Sequence, residues 1–308
     1  MANINSLTRT NATSSIYGTR NVLTGLSSGL DTEAMIENSV SGYKMKIESL
    51  KQEQDLIGWK QDAYGNIIDK ATKLSSNFFS YGSSTNLLSN GIYEAESSEK
   101  LTRALKDFVT QYNDLATTLR TEFKTPPSDS GNKPLTESDK ADMSENAIKN
   151  YEDKAKQGIL YNDSDITNFY MKLTQAVSAN SAELSKLGIK TRYESGLTTL
   201  SFDEDTFKSA AGGMEELHGL MNRVKGVTET YTSTSFSNPG ILNKKASKTD
   251  TRSAWNQEAA RIAERIKIQE SRMSQKIDYY TRQFTALEKL MNIMNNQSEM
   301  LNGLMLGY

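Results

Sequence analysis

The stretch AARIAERIKIQESRMSQKIDYYTRQFTALEKLMNIMNNQSEMLNGLMLGY, residues Ala259 to Tyr308, decides how this chain is built. Taken in alternating steps of four and three, it puts Ala259, Ala263, Ile266, Glu270, Met273, Ile277, Tyr280, Phe284, Leu287, Met291, Met294, Ser298, Leu301 and Met305 on one stripe. Glu270 and Ser298 are the polar members of that stripe. The residues between are mostly charged or amide, among them Arg261, Glu264, Lys267, Arg272 and Lys276. A narrow apolar seam at heptad spacing predicts a helix that another helix must cover. No proline interrupts it, and its first glycine is Gly303, so nothing breaks it early. At about 1.5 Å per residue such a helix is roughly 70 Å long.

A cover is available near the other end. From Leu30 to Phe78 the same spacing picks out Ile36, Val40, Tyr43, Ile47, Leu50, Gln54, Ile57, Gln61, Tyr64, Ile68, Ala71, Ser75 and Phe78. Asp31 or Thr32 can cap the start, and Glu33 and Glu37 lie near the positive end of the dipole. Gly42, Gly58 and Gly65 each cost up to about 1 kcal/mol against Ala and mark candidate bends between shorter helices. The economical arrangement pairs the two terminal helices antiparallel, as a coiled coil of legs around a head. The expected leg domain is 1–42 with 257–308, and the expected head is 43–256. The seam residues expected to carry self-assembly are Ile36, Val40, Tyr43, Ile47 and Leu50 from one end. From the other they are Ile266, Met273, Ile277, Tyr280, Phe284, Leu287, Met291, Met294 and Leu301. Gln54, Gln61, Glu270 and Ser298 on the seams favour specific over maximally tight pairing.

Between the ends the pattern is mainly helical. One helix is predicted over Glu99–Phe123, two more over Glu137–Gln157 and Ser164–Leu187, and another from Met214 to about Tyr231. Asp163 is the expected cap of the third of these. Ile189–Tyr193 and Leu197–Phe202 alternate around Glu194-Ser195-Gly196 and predict a β-hairpin. Asp203-Glu204-Asp205 opens a further helix. Ser80–Ser98 reads as loop with a short strand at Ile92–Ala95. Residues 1–29 are rich in Ser, Thr, Asn and Gly and are expected to be disordered in isolation. The fold class is mainly α with one small hairpin.

The totals narrow the function. Lys and Arg number 36 against 38 Asp and Glu, for a net charge of −2, which argues against nucleic acid as the main partner. Hydrophobic residues make up 36% and the mean hydropathy is −0.61, low for a compact globule and normal for long helices exposed on most sides. Cysteine is absent, so thiolate chemistry is excluded. No stretch approaches the roughly 18 apolar residues of a membrane span. The single histidine, His218, has no second imidazole for a metal site or a proton shuttle. Asp203 does not begin a calcium loop, because Lys208 and Met214 stand where Gly and Glu are required. No enzyme, cofactor or metal is expected.

Three stretches carry a resemblance. Gly25-Leu-Ser-Ser-Gly-Leu-Asp-Thr32 runs into the first helix, followed by Trp59…Asp62-Ala63-Tyr64. Phe108-Val-Thr-Gln-Tyr-Asn-Asp-Leu115 is followed by Leu187-Gly-Ile189 and Leu197-Thr-Thr-Leu-Ser-Phe-Asp-Glu-Asp205. Arg282-Gln-Phe-Thr-Ala-Leu-Glu288 leads to Met291, Met294, Asn295, Gln297-Ser298 and Leu301. In this order they resemble the flagellar hook-associated protein 2 family, the filament caps. Family members usually carry one or two β-rich domains before the Phe-Val-x-x-Tyr-Asn helix, and here only about Ser80–Ser98 holds that place.

The resemblance implies an exported structural protein that forms a ring, pentameric in the family, at the distal tip of the growing filament. Its partners would be copies of itself, flagellin, and the type III export apparatus with its chaperone. Two alternatives remain. Another axial protein, a flagellin or a hook–filament junction protein, would form long filaments by itself. An adhesin with a cell-adhesion surface would bind mucin or cells.

Overall fold

The computed structural model describes residues 28–89, 92, 98–129, 131–210 and 213–305. The elements run α1 (Thr32–Phe78), α2 (Ser98–Lys124), α3 (Glu137–Ala141), α4 (Glu145–Lys156), α5 (Ser164–Ser178) and α6 (Ser181–Lys186). The hairpin β1 (Ile189–Glu194) and β2 (Leu197–Phe202) follows, then α7 (Glu204–Ser209), α8 (Met214–Thr232), α9 (Ile241–Ala246) and α10 (Ala254–Met305). The fold is mainly α with one small antiparallel sheet. It divides into two compact units, one of 1–51 with 263–308, the other of 52–262.

The larger unit has one core. α1 gives it Tyr64, Ile67, Ala71, Leu74 and Phe78, and α2 gives Leu105, Phe108, Tyr112, Leu115 and Leu119. Phe169 and Leu173 from α5 and Leu217, Leu220 and Val224 from α8 complete it. The spacing in each helix is three or four, so each buries one stripe and wets the rest. Phe169 stacks on Tyr231 with centroids 4.6 Å apart, and Phe78 meets Phe108 edge-on at 5.6 Å. The described part of 80–98 is a run of turns that returns Leu87 and Ile92 to this core. The strand expected at Ile92–Ala95 lies mostly outside the described residues.

The hairpin has the register Ile189↔Phe202 through Glu194↔Leu197. Its two-residue turn, Ser195-Gly196, has φ of 50° and 82°, the left-handed pair that matches strand twist. Gly188, just before β1, has φ of +74°, and a Cβ there would lie 2.3 Å from the Asp203 carbonyl oxygen. Only glycine lets the chain leave α6 and meet the end of β2 so closely.

Several boundaries differ from the sequence expectation. α1 is one helix through Gly42, Gly58 and Gly65, each of which has open space where a side chain would stand. The helix expected over Glu137–Gln157 is two, since Ser144 leaves the helical region and caps α4 by accepting from Ala147 N. The helix expected over Ser164–Leu187 is also two, split where Asn180 turns left-handed with φ of 60°. α10 begins at Ala254, ahead of the seam, where Ser253 starts the turn. α9 lies in the polar stretch that leads into α10.

Candidate functional site

The smaller unit pairs the start of α1 with α10. Ile36, Val40 and Ile277 form its buried centre, with Tyr43, Met273, Tyr280 and Phe284 packed around them. Ser28 donates its backbone N–H to Glu288 Oε2 at 3.4 Å, and its hydroxyl donates to the same carboxylate. Numbering rises along α1 as it falls along α10, so the two run antiparallel. Ile47, Leu50 and Ile266 are buried as well. Met291 is half-buried. Leu287, Met294 and Leu301 are exposed, the last two by more than half. The expected seam residues thus fall into a packed group up to Met291 and an exposed group beside and beyond it.

The packed stripe of α10 is not a strict heptad. Its buried and half-buried positions include Ile266, Gln269, Met273, Ile277, Tyr280, Phe284, Glu288 and Met291. Steps of three, four and four repeat every eleven residues, or 3.67 per turn. An eleven-residue repeat sits close to the natural 3.6 and removes the need for a left-handed supercoil. The strict seven-residue reading goes astray at two places: it chooses exposed Glu270 over buried Gln269, and exposed Leu287 over buried Glu288.

Polar groups sit inside this seam. Thr32, Gln269 and Glu288 are buried. The hydroxyls of Thr32 and Thr281 are buried with no hydrogen-bond partner among the described residues, each at a cost of about 1–3 kcal/mol. The pairing is specified by shape and by the Ser28–Glu288 contact, at some expense in stability.

The motif residues of the larger unit turn out to be its fastenings. Tyr64, fully buried in α1, donates its hydroxyl to Asp163 at 2.8 Å and accepts from Lys245 Nζ at 2.9 Å. Lys245 also reaches Asp165 at 2.7 Å. Trp255 packs edge-on to Tyr64 with centroids 4.7 Å apart. Burial, followed by the negative charge of Asp163, drives the Tyr64 phenol well above its ordinary value of 10. Asp163 also caps α5, accepting from the backbone of Asp165 and Ile166. One phenol therefore ties α1, α5, α9 and α10 together inside this unit. Trp59 takes Lys156 Nζ over its ring at 5.0 Å, and Asp62 pairs with Lys248.

Asn113 and Tyr112 of α2 hold the hairpin. Asn113 donates its amide to Leu200 O and accepts from Leu200 N, both at 2.8 Å. Tyr170 donates to Gly196 O at 2.8 Å and accepts from Thr198 N at 2.9 Å. Arg120 donates to Ser195 O. Among the described residues no cluster of three or more His, Asp or Glu could hold a metal ion. No described helix is long and apolar enough to cross a membrane.

Two family models match this chain. "Flagellar hook-associated protein 2 N-terminus" covers residues 28–157, and "Flagellar hook-associated protein 2 C-terminus" covers 95–296. The chain belongs to the flagellar hook-associated protein 2 family. This is a family of structural filament caps of the bacterial flagellum, found at the filament tip. No curated protein and no solved structure matches the chain. In this member, the signature positions Trp59, Asp62, Tyr64 and Asn113 fasten helices and hairpin, whereas the described side chains of α10 beyond Met291 are exposed. Sequence reasoning found Tyr64 and Asn113 as motif letters but not their partners. Lys245 and Asp165 lie far off in sequence and belong to no periodic pattern that would join them.

Proposed function

We propose that this chain caps the distal tip of the growing flagellar filament, promotes folding and polymerisation of flagellin, and prevents loss of exported monomers. The observation that carries the reading is family membership joined to a terminal unit in which α1 and α10 pair antiparallel with their own seam. In this reading the terminal helices are the legs and 52–262 is the plate. Copies of the chain form a ring, pentameric as the family implies. The protein leaves the cell through the type III export apparatus, escorted by its chaperone, and works outside.

The mechanism asks for no catalysis. Flagellin delivered beneath the plate is confined, folds, and adds where a leg yields its place. Apolar surface at about 25 cal/mol per Å² supplies the holding energy. Polar seam positions such as Gln269 and Thr281 keep each contact weak enough to be exchanged.

Deletion of the gene tests this. The expected result is flagellin monomer in the medium and bacteria without filaments, both reversed by the wild-type gene. Normal filaments in the deletion strain would overturn it, as would long filaments grown from the purified protein alone.

A further inference from the structure

Within the larger unit, the C-terminal halves of α5 and α8 leave a groove of about 540 Å³ between them. One wall is Lys172, Gln175 and Ala176 of α5 with its cap Ala179. The other holds Arg223, Gly226, Val227 and Thr230 of α8. Each set is spaced i, i+3, i+4, i+7, which is one face of a helix over two turns. The walls run antiparallel. Arg223 donates from Nε to Ala176 O at 3.0 Å and from a terminal nitrogen to Ala179 O at 3.2 Å, while Tyr231 stacks on Phe169 further back along α5. Arg223 therefore marks one end of the groove and Lys172 the other, about 10 Å apart along the axis.

Gly226 keeps the floor open. A glycine inside a helix costs about 1 kcal/mol against alanine. At Gly226 an added Cβ would meet nothing within 4 Å, so no neighbour in the chain demands so small a residue. Its missing side chain leaves room for a bulky one from outside.

We propose that this groove receives an amphipathic helix of another protein, with two apolar side chains turned inward and a carboxylate at each end. The docking goes beyond the cap reading and does not depend on it.

Charge and shape choose this occupant. Lys172 and Arg223 are the charged residues of the lining, and no carboxylate is among them. Neither cation forms an ion pair among the described residues. On an incoming helix, carboxylates at i and i+7 share a face and lie about 10 Å apart, the separation of the two cations. The residues at i+3 and i+4 then stand between them, over Ala176, Gly226 and Val227. Every lining residue belongs to α5, its cap or α8, so a small molecule held by these two walls would stay largely wet. Pockets for such ligands bury roughly 70–90% of the ligand surface. A second copy of this chain lacks the pattern: no pair of acidic residues seven apart in this sequence has apolar residues at both inner positions.

The probe is a synthetic helix of about fourteen residues carrying Glu-x-x-Leu-Leu-x-x-Glu, with a side-chain staple because so short a helix is marginal alone. Its binding to the full chain is read by fluorescence anisotropy, and its place by amide shifts in NMR spectra. We expect saturable binding that moves the amides of 172–179 and 222–231. Lys172→Glu should weaken it at least about tenfold, Gly226→Trp should abolish it, and helicity should be unchanged in both. A probe with Lys for both Glu should bind at least about tenfold more weakly. Lys172 is exposed, so Lys172→Glu decides the matter even where Gly226→Trp disturbs the fold. No binding of the Glu probe, equal binding of the Lys probe, or indifference to Lys172→Glu would overturn the proposal. Dodecanoate taking the groove while the peptide does not would overturn it in favour of a small amphiphile. Sedimentation of the chain alone altered by a folded Gly226→Trp would overturn it in favour of a second copy. The deletion strain, which tests the cap reading, is untouched by any of these results.

Discussion

Asn113 treats Leu200 as a neighbouring strand would, exchanging two hydrogen bonds of 2.8 Å with its backbone N–H and C=O. A single amide on a helix thus occupies the free edge of β2 at its buried centre, where Leu200 is 3% exposed. We expect Asn113→Ala to cost about 1–3 kcal/mol, because both backbone groups lose their partner away from water. Asn113→Asp should cost at least as much, since a carboxylate oxygen replaces the donor facing Leu200 O. Urea unfolding checks this, as a lowered midpoint with unchanged slope. An unmoved midpoint would mean that water reaches Leu200 freely.

Tyr64 and Tyr112 make stability sensitive to alkali. Burial raises both phenols above 10, with Asp163 adding to the effect at Tyr64 and Tyr170 at Tyr112. Below pH 10 both states keep their protons, and the contribution is fully present. Above it the unfolded chain releases them and the folded chain does not, so stability falls. Each such tyrosine contributes a loss of up to about 1.4 kcal/mol per pH unit. Tyr64→Phe should flatten part of that slope while lowering stability at pH 7 by about 1–2 kcal/mol. Unfolding measured from pH 8 to 11 in both proteins decides it. Equal slopes would refute the role given to Tyr64.

The seam between α1 and α10 should be improvable. Thr32 and Thr281 bury hydroxyls with no hydrogen-bond partner among the described residues. Valine keeps the branched shape without the oxygen. Thr281→Val is expected to stabilise the α1–α10 pair by about 1 kcal/mol, read as slower amide exchange across Met273–Phe284. Faster exchange would show that the hydroxyl has a partner in solution.

Gly188→Ala should be severe. The left-handed φ alone costs about 1–2 kcal/mol for alanine. The methyl would also collide with Asp203 O and displace the Asp203 N–H, which donates to Gly188 O at 2.8 Å. A loss of about 2–4 kcal/mol in a thermal or urea melt is the expected outcome. A fall under 1 kcal/mol would mean that the loop relaxes at little cost.

Much of this protein was legible in its sequence, and the failures have physical causes. Long helices, the hairpin and the Asp163 cap follow from spacing and from local chemistry that involves neighbours in the chain. The division of the middle helices was missed because Ser144 and Asn180 are ordinary letters until their backbone conformation is known. The heptad stripe of α10 coincides with its packed stripe where seven- and eleven-residue repeats meet, as at Met273, Ile277, Tyr280 and Phe284. It was wrong at Glu270, where the repeats part and a helix near its natural pitch prefers Gln269. The Tyr64 cluster could not be assembled in advance, since Lys245 stands 181 residues away and nothing local marks it.

The hairpin has one further consequence. A two-stranded sheet has two outer edges, and each is a template on which foreign strands can grow. Asn113 occupies one at Leu200. The other belongs to β1, which is short and carries Lys190, Arg192 and Glu194. Runaway β-stacking is thereby discouraged at the only sheet among the described residues.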